Sequence, residues 1–340
     1  MNAVNTTPER SAVAQFPEVL SKYKYTRVET RQDVVNFINK LVDLGMCDKP
    51  RSPSWSSVAT MLGSNTVLNP DHREAAAAYR PRTFADLNSP HSIASSMPAL
   101  YLDCEGVNLS REGSLTVLEI MSVLENRVYL FDILVLGKDA FQTPGKNGIT
   151  LQAIPEDAKI TKAFFDVRND CDALHHHFGI KLQGIQDIQL MELATRDYSF
   201  RRLASLANCI DDVTRNSALS TTERKALQAV KATGKAILRR EGFKLFAERP
   251  LLPELVMYCI VDVALLPMIW TGYSRKITKK GWEKMLEITA RRIESSEHPG
   301  YEPNGPGRSL ADWGFKGLMT ANWQWADPRN EPRRNYESYL

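Results

Sequence analysis

Long hydrophobic runs are missing from this 340-residue chain: the longest apolar stretch, residues 255–270, is short and carries Asp262 in its middle. A bilayer core about 30 Å thick needs about 20 predominantly apolar residues, so no membrane span is expected. Residues 1–16 lack a basic segment followed by an apolar one, which predicts no secretory leader. The cysteines Cys47, Cys104, Cys171, Cys209 and Cys259 are odd in number and widely spaced, with no C-x-x-C pair. Neither a disulfide framework nor a zinc knuckle follows, and a reducing intracellular compartment, cytoplasm or nucleus, fits best. One-sided charge is lacking too, because 43 Lys and Arg against 40 Asp and Glu leave only +3, too weak a bias to imply a polyanionic partner by itself. No G-x-x-x-x-G-K-[ST] or G-x-G-x-x-G run offers a phosphate cradle, and no internal repeat is present.

What is present is a hydrophobic content of 43%, enough to fill a sizeable core. Residues 1–22 are polar and unpatterned and read as a disordered leader. The segment 23–28 reads as a strand, and Thr30 opens a helix over 32–44 with Val34, Val35, Ile38, Leu41 and Val42 on one face. Residues 46–97, rich in Ser, Pro and Asn, read as a long irregular insertion. From Pro98, three apolar segments ending in DCEG, MSVL and LFDI predict consecutive antiparallel strands, the last two joined by a turn at 125–127. Strands at 160–165 and 185–188 flank a helix over 170–178, so helix and strand alternate as in an α/β sandwich. Ser220 and Glu223 have capping-box spacing ahead of a helix that Gly234 is expected to interrupt. Pro253 suits the first turn of a helix running through Tyr258 and Asp262, with Pro267 ending or kinking it. A last helix is expected to about Ile293. The tail 297–340, rich in Pro, Gly and aromatics, either docks on the domain or stacks on bases.

Chemistry concentrates in a few acids. Strand alternation sends Asp103 and Glu105 to one face, and two close carboxylates are costly unless hydrated, protonated or metal-bound. Tyr258 and Asp262, four apart on a helix, lie one turn from each other on one face; the phenol equally suits a core position beside Leu255, Leu265 and Ile269. Asp170 has Asp166 and Asp172 as neighbours, and the residues alone do not choose among the three. Residues 201–249 hold eleven Lys and Arg against five acids, which suits either a phosphate polymer or a solvated helical face. Consecutive His175, His176 and His177 fan around a helix axis and cannot share one metal, so they read as helix surface.

The order D-x-E in YLDCEG, an acid before a short helix in FFDVRNDCDALHHHFGIKLQGIQDIQL, the following LASLANCI, and Y-x-x-x-D in FAERPLLPELVMYCIVDVALL resembles the DEDDy branch of the DnaQ-like, ribonuclease H-like 3′–5′ exonucleases. That branch includes ribonuclease D and Werner-type enzymes, and the nearest likeness is to exonuclease-domain proteins of fungi. The resemblance covers about residues 95–275 within a domain at 23–296. It implies a mixed central sheet flanked by helices and places the second-motif acid at Asp170. It further implies two Mg²⁺ or Mn²⁺ ions on Asp103, Glu105, Asp170 and Asp262, with Tyr258 orienting the attacking water. The implied reaction shortens a single-stranded RNA or DNA from its 3′ end and releases nucleoside 5′-monophosphates. Asp187 is a candidate for orienting the ligands from behind. The alternative is a catalytically silent nucleic-acid-binding adaptor on the same fold.

Overall fold

The structure, a computed structural model, describes residues 17–47, 97–196, 202–215, 217, 219–305 and 308–311. Most of the leader, nearly all of the insertion and the tail aromatics from Trp313 onward lie outside the described residues.

Six strands form one mixed sheet: β1 (Tyr25–Val28), β2 (Leu100–Glu105), β3 (Val117–Ser122), β4 (Arg127–Asp132), β5 (Lys162–Phe164) and β6 (Ile185–Asp187). Their order is β1-β4-β3-β2-β5-β6. β2, β3 and β4 form the expected antiparallel meander, whose turn at Asn126 takes a φ of 48°. β5 runs parallel to β2, and β6 parallel to β5. This parallelism has a consequence for the site, since the chain leaving β5 emerges at the same sheet end as Glu105, the last residue of β2.

Helix α1 (Arg31–Asp43) begins at a capping box made by Thr30 and Asp33 and buries Val34, Phe37, Ile38, Leu41 and Val42. Phe37 belongs to the buried stripe, whereas Val35, expected there, is only partly buried. α2 (Arg168–Phe178) ends at Gly179, where a φ of 69° lets the Ile180 amide bond back to the Leu174 carbonyl. Then follow α3 (Ile188–Ala194), α4 (Leu206–Arg215), α5 (Thr221–Glu241), α6 (Pro253–Ala264), α7 (Leu266–Ser274) and α8 (Lys279–Glu297). Pro253 sits in the first turn of α6, and the helix breaks at Leu265, ahead of Pro267.

Alternation along the strands divides the apolar residues between two cores. Leu100, Leu102, Cys104, Leu118, Ile120, Tyr129 and Phe131 meet α1 and α2 on one face. Tyr101, Val117, Met121, Val128 and Leu130 meet α3 to α8 on the other. By the same alternation, Asp103 and Glu105 share the face of Tyr101 and so point toward α6, which packs on β2, β3 and β4. The span 253–274 is long and apolar enough to cross a bilayer, yet 78% of its most apolar window is buried within the fold, as expected for core helices.

Gly234 does not interrupt its helix. α5 runs unbroken from its Ser220–Glu223 capping box to Glu241, and Gly234 is the point where it lies flush on α6. A Cβ there would stand 2.3 Å from Tyr258 Cδ2 and 2.8 Å from Cγ. Gly234→Ala is therefore expected to destabilise the protein by about 1–3 kcal/mol through overpacking, outweighing a gain in helix propensity of about 1 kcal/mol. Urea unfolding reads the difference, and a more stable variant would contradict the contact.

Candidate active site

The site begins at the C-terminal end of β2. Gly106 follows Glu105 where the chain runs against the 114–115 backbone; a Cβ there would lie 1.8 Å from the Ser114 carbonyl oxygen, so no side chain fits. The turn holds Glu105 beside Asp103, and α6 brings Asp262 to both. One carboxylate oxygen from each of Asp103, Glu105 and Asp262 lies within 4.8 Å of the others. Asp262 is 3% exposed, while Asp103 and Glu105 keep some access to solvent. Tyr258, one turn before Asp262 on α6, faces the same space.

Asp170 lies in the first turn of α2, delivered there by the chain leaving β5, where a helix N-terminus favours negative charge. Its carboxylate is outside the group of three but close enough to Asp103 to raise the Asp103 pKa. Asp170 is 5% exposed, and its Oδ1 has no hydrogen-bond partner among the described residues. The two neighbouring acids are committed elsewhere. Asp172 receives the Arg111 backbone amide at 2.7 Å and its Nε at 2.6 Å. Asp166, just past β5 with a φ of 62°, receives two bonds from Arg168 at 2.5 and 2.7 Å.

The cluster's electrostatics are strained. Burial first, then the charges of Asp170, Glu105 and Asp262, push Asp103 far above the carboxylate range. Burial and Asp262 raise Glu105 to about 8. Burial raises Asp170 to about 7 and also lifts Asp262, with Lys231 opposing in the latter case. Burial and the nearby acids keep the Tyr258 phenol protonated far beyond neutral pH. A fifth acid, Glu119, pairs across the strands with Asp103, is fully buried, and stays protonated for the same reasons.

A carboxyl with a folded pKa above its unfolded value holds a proton that the unfolded chain has already released. Such groups destabilise the fold as pH rises between the unfolded and folded values. For the ion-free protein that window runs from the ordinary Glu value of 4.5 to about 8 for Glu105. The melting temperature in chelator should fall across it, and the increment on adding Mn²⁺ should grow, because only deprotonated carboxylates bind the ion. An increment that does not change with pH would rule this out.

Lys231 was not among the residues expected here. Its ammonium pairs with Asp262 and lies 3.6 Å from the centroid of the Tyr258 ring. Lys231 is 9% exposed. A signal for it existed: Leu227, Val230, Gly234 and Leu238 form the buried stripe of α5, and Lys231 falls on that stripe. A charged residue at a core position needs a partner, and the partner is 31 residues further along.

Asp187 acts one step away. It accepts the backbone amides of Asp166, Val167 and Gln189 at 3.0, 3.2 and 3.0 Å and pairs with Arg292 of α8 at 2.7 Å. It thus fixes the segment that starts α2 rather than touching the carboxylate group. His176 is exposed and His175 and His177 are partly so; the Nε2 of His177 lies 2.9 Å from the Ser110 carbonyl oxygen. No metal-binding triad forms from these three.

All donors in the cluster are carboxylate oxygens, the kind that suits Mg²⁺ or Mn²⁺ over zinc. Several buried acids around one lysine, with an unpartnered Asp170 oxygen, leave room for further positive charge. The residues fit divalent cations.

Residues 82–277 match the family model for a 3′-5′ exonuclease. The chain is 33% identical over 172 residues to the human "piRNA biogenesis protein EXD1", and 31% identical over 178 residues to its mouse counterpart. Those matches take in 50% of this chain but only 31% and 28% of the relatives, so the chain spans less than a third of their length. Among solved structures, ribonuclease D of Trypanosoma brucei in complex with RNA U12 superposes with a TM-score of 0.53 at 17% identity, covering 90% of this chain and 82% of that one. A second structure of Trypanosoma brucei ribonuclease D gives 0.54 at 16%, covering 87% and 82%. At this identity the likeness shows the shared ribonuclease H-like fold.

Proposed function

This chain belongs to the 3′-5′ exonuclease family, and from that premise we propose that it is a metal-dependent exonuclease acting on the 3′ end of single-stranded nucleic acid. The supporting observation is the convergence of Asp103, Glu105 and Asp262, from segments more than 150 residues apart, within 4.8 Å of one another beside Tyr258. Asp103, Glu105, Asp262 and the adjacent Asp170 are the donors for two Mg²⁺ or Mn²⁺ ions. Bound there, such ions supply Lewis acidity to both the attacking and the leaving oxygen. Tyr258 keeps its proton at neutral pH, so it orients the attacking water by hydrogen bonding and does not serve as a base. Products are nucleoside 5′-monophosphates and a strand shortened at its 3′ end.

RNA is the first substrate to test, because a ribonuclease D with this fold has been captured on RNA and the curated relatives are named for piRNA biogenesis. A 5′-labelled single-stranded RNA, with a matching DNA in parallel, should shorten in Mg²⁺ or Mn²⁺ with release of mononucleotides. His176→Ala should keep this activity. Tyr258→Phe should slow cleavage about 10- to 100-fold, the value of one hydrogen bond to a charged group, about 1.5–3 kcal/mol, with ion affinity retained. Equal loss of both would contradict the role given to the phenol.

A second reading, a silent adaptor that binds without cutting, has one observation in its favour: Lys231 already neutralises Asp262. Binding with no cleavage in either ion would decide for it. We propose a cytoplasmic or nuclear location, in keeping with Cys104, Cys171, Cys209 and Cys259, which form no disulfide among the described residues. A tagged full chain found in the secretory pathway would refute that.

A further inference from the structure

Beyond the acids, α5 carries an arrangement that the catalytic reading does not use. Lys231, Lys235 and Arg239 are spaced by four and share one helix face. They are graded in exposure: Lys231 is buried at the carboxylates, Lys235 half-buried, and Arg239 exposed. The only acids of the helix, Glu223 and Glu241, lie in its first and last turns and are occupied by Ser220 with Lys22 and by Arg240. Lys235 forms no ion pair among the described residues; its charge is felt by Lys231 and Arg239 on its own helix and by Asp262 across on α6. Like charges four apart on a helix repel, and α5 supplies no counter-charge between its ends.

The row is also fixed in place. Gly234, between Lys231 and Lys235, lets the helix lie directly on the Tyr258 ring, so the line of cations starts at the candidate catalytic centre and leads out to solvent. Each step along it is about 6 Å, close to the repeat of an extended sugar-phosphate backbone.

We propose that this face of α5 is the track for the single strand, with Lys235 and Arg239 contacting consecutive backbone phosphates upstream of the 3′ terminus held at the acids. Resting on the nuclease reading, this names how its substrate is held. Contacts of this kind position a strand without reading its bases, so the track works on any sequence.

The test uses the full chain and a short 5′-fluorescein oligouridylate, titrated by anisotropy over a range of KCl in Ca²⁺, with probe integrity checked on a gel. Lys235→Gln and Arg239→Gln should each weaken binding and each reduce the slope of log Kobs against log[salt] by about 0.7, the value for one phosphate contact on a single strand. The double variant should lose about twice that. Lys138→Gln, exposed in the segment packed on the opposite face of the sheet, should leave the slope unchanged. In cleavage assays the track variants should raise KM with kcat nearly constant. Melting temperatures matching the parent exclude misfolding, and Lys235→Gln alone carries the test if Arg239→Gln melts early. Binding with an unaltered slope in Lys235→Gln, or an equal drop in Lys138→Gln, overturns the track and leaves the nuclease reading intact. A parent chain that neither binds nor cuts the probe overturns both.

Discussion

Asp103→Asn is expected to abolish ion-dependent shortening of a labelled RNA or DNA strand, a loss of at least about 100-fold. Asp103 takes part in both halves of the site, lying within 4.8 Å of Glu105 and Asp262 and next to Asp170. An amide in its place removes one anionic donor while keeping the side-chain shape. The Lewis acidity lost with a misplaced ion is worth several kcal/mol, and every 1.36 kcal/mol is tenfold in rate. The same substitution also removes a carboxyl that must take up a proton to be buried, so the ion-free variant should melt higher than the parent at about pH 8. Both effects are needed to support the assignment. Retained cleavage would remove Asp103 from the chemistry, and a lower melting temperature in chelator would contradict the electrostatic picture of the cluster.

Arg292→Leu should give the largest loss of stability. Its guanidinium, 3% exposed for the residue as a whole, reaches Asp187 at 2.7 Å, Gln189 at 3.0 Å and Asp166 at 3.5 Å. Burial alone would raise the Asp166 carboxyl, but the Arg168 hydrogen bonds and the charges of Arg292, Arg168 and Arg308 hold it down at about 2. Removing one partner of a buried pair leaves the other charge uncompensated, at a cost of about 3–5 kcal/mol, or roughly 10 °C in melting temperature for a domain of this size. Because Asp187 and Asp166 set the start of α2, the damage should reach Asp170 and lower ion affinity as well. Arg292→Lys should restore only part, since an ammonium on a flexible stem has three donors against five and does not reproduce the rigid, planar guanidinium. A loss below about 1 kcal/mol would show that the network does not anchor α2.

The sequence was most legible where the chemistry is local. Thr30 with Asp33 and Ser220 with Glu223 cap their helices through side chains three residues away, and Pro253 and Gly179 mark a helix start and stop through their own backbone limits. The antiparallel meander follows from consecutive apolar runs, the last two joined by the tight turn at Asn126. Asp103 and Glu105 share a face, and Tyr258 and Asp262 lie one turn apart, by strand and helix period alone. Gly234 misled because propensity treats glycine as a weak point, whereas here it is a seat for an aromatic ring on another helix. Val35 and Phe37 show the same limit at one position of α1: periodicity gives the stripe, and the neighbouring strands decide its edge.

By itself, then, the sequence determined the elements, the faces that Asp103, Glu105, Tyr258 and Asp262 occupy, and the family resemblance those motifs carry. The residues alone left Asp166, Asp170 and Asp172 open and the family resemblance pointed to Asp170; the tertiary structure adds that Arg168, Arg292 and Arg111 already hold the other two. Only it brought Lys231 to Asp262 and aligned the cations of α5 with the site. The physical reason is range: capping and periodicity act over three or four residues, whereas charge pairing acts through space, and the fold alone sets which distant residues share it.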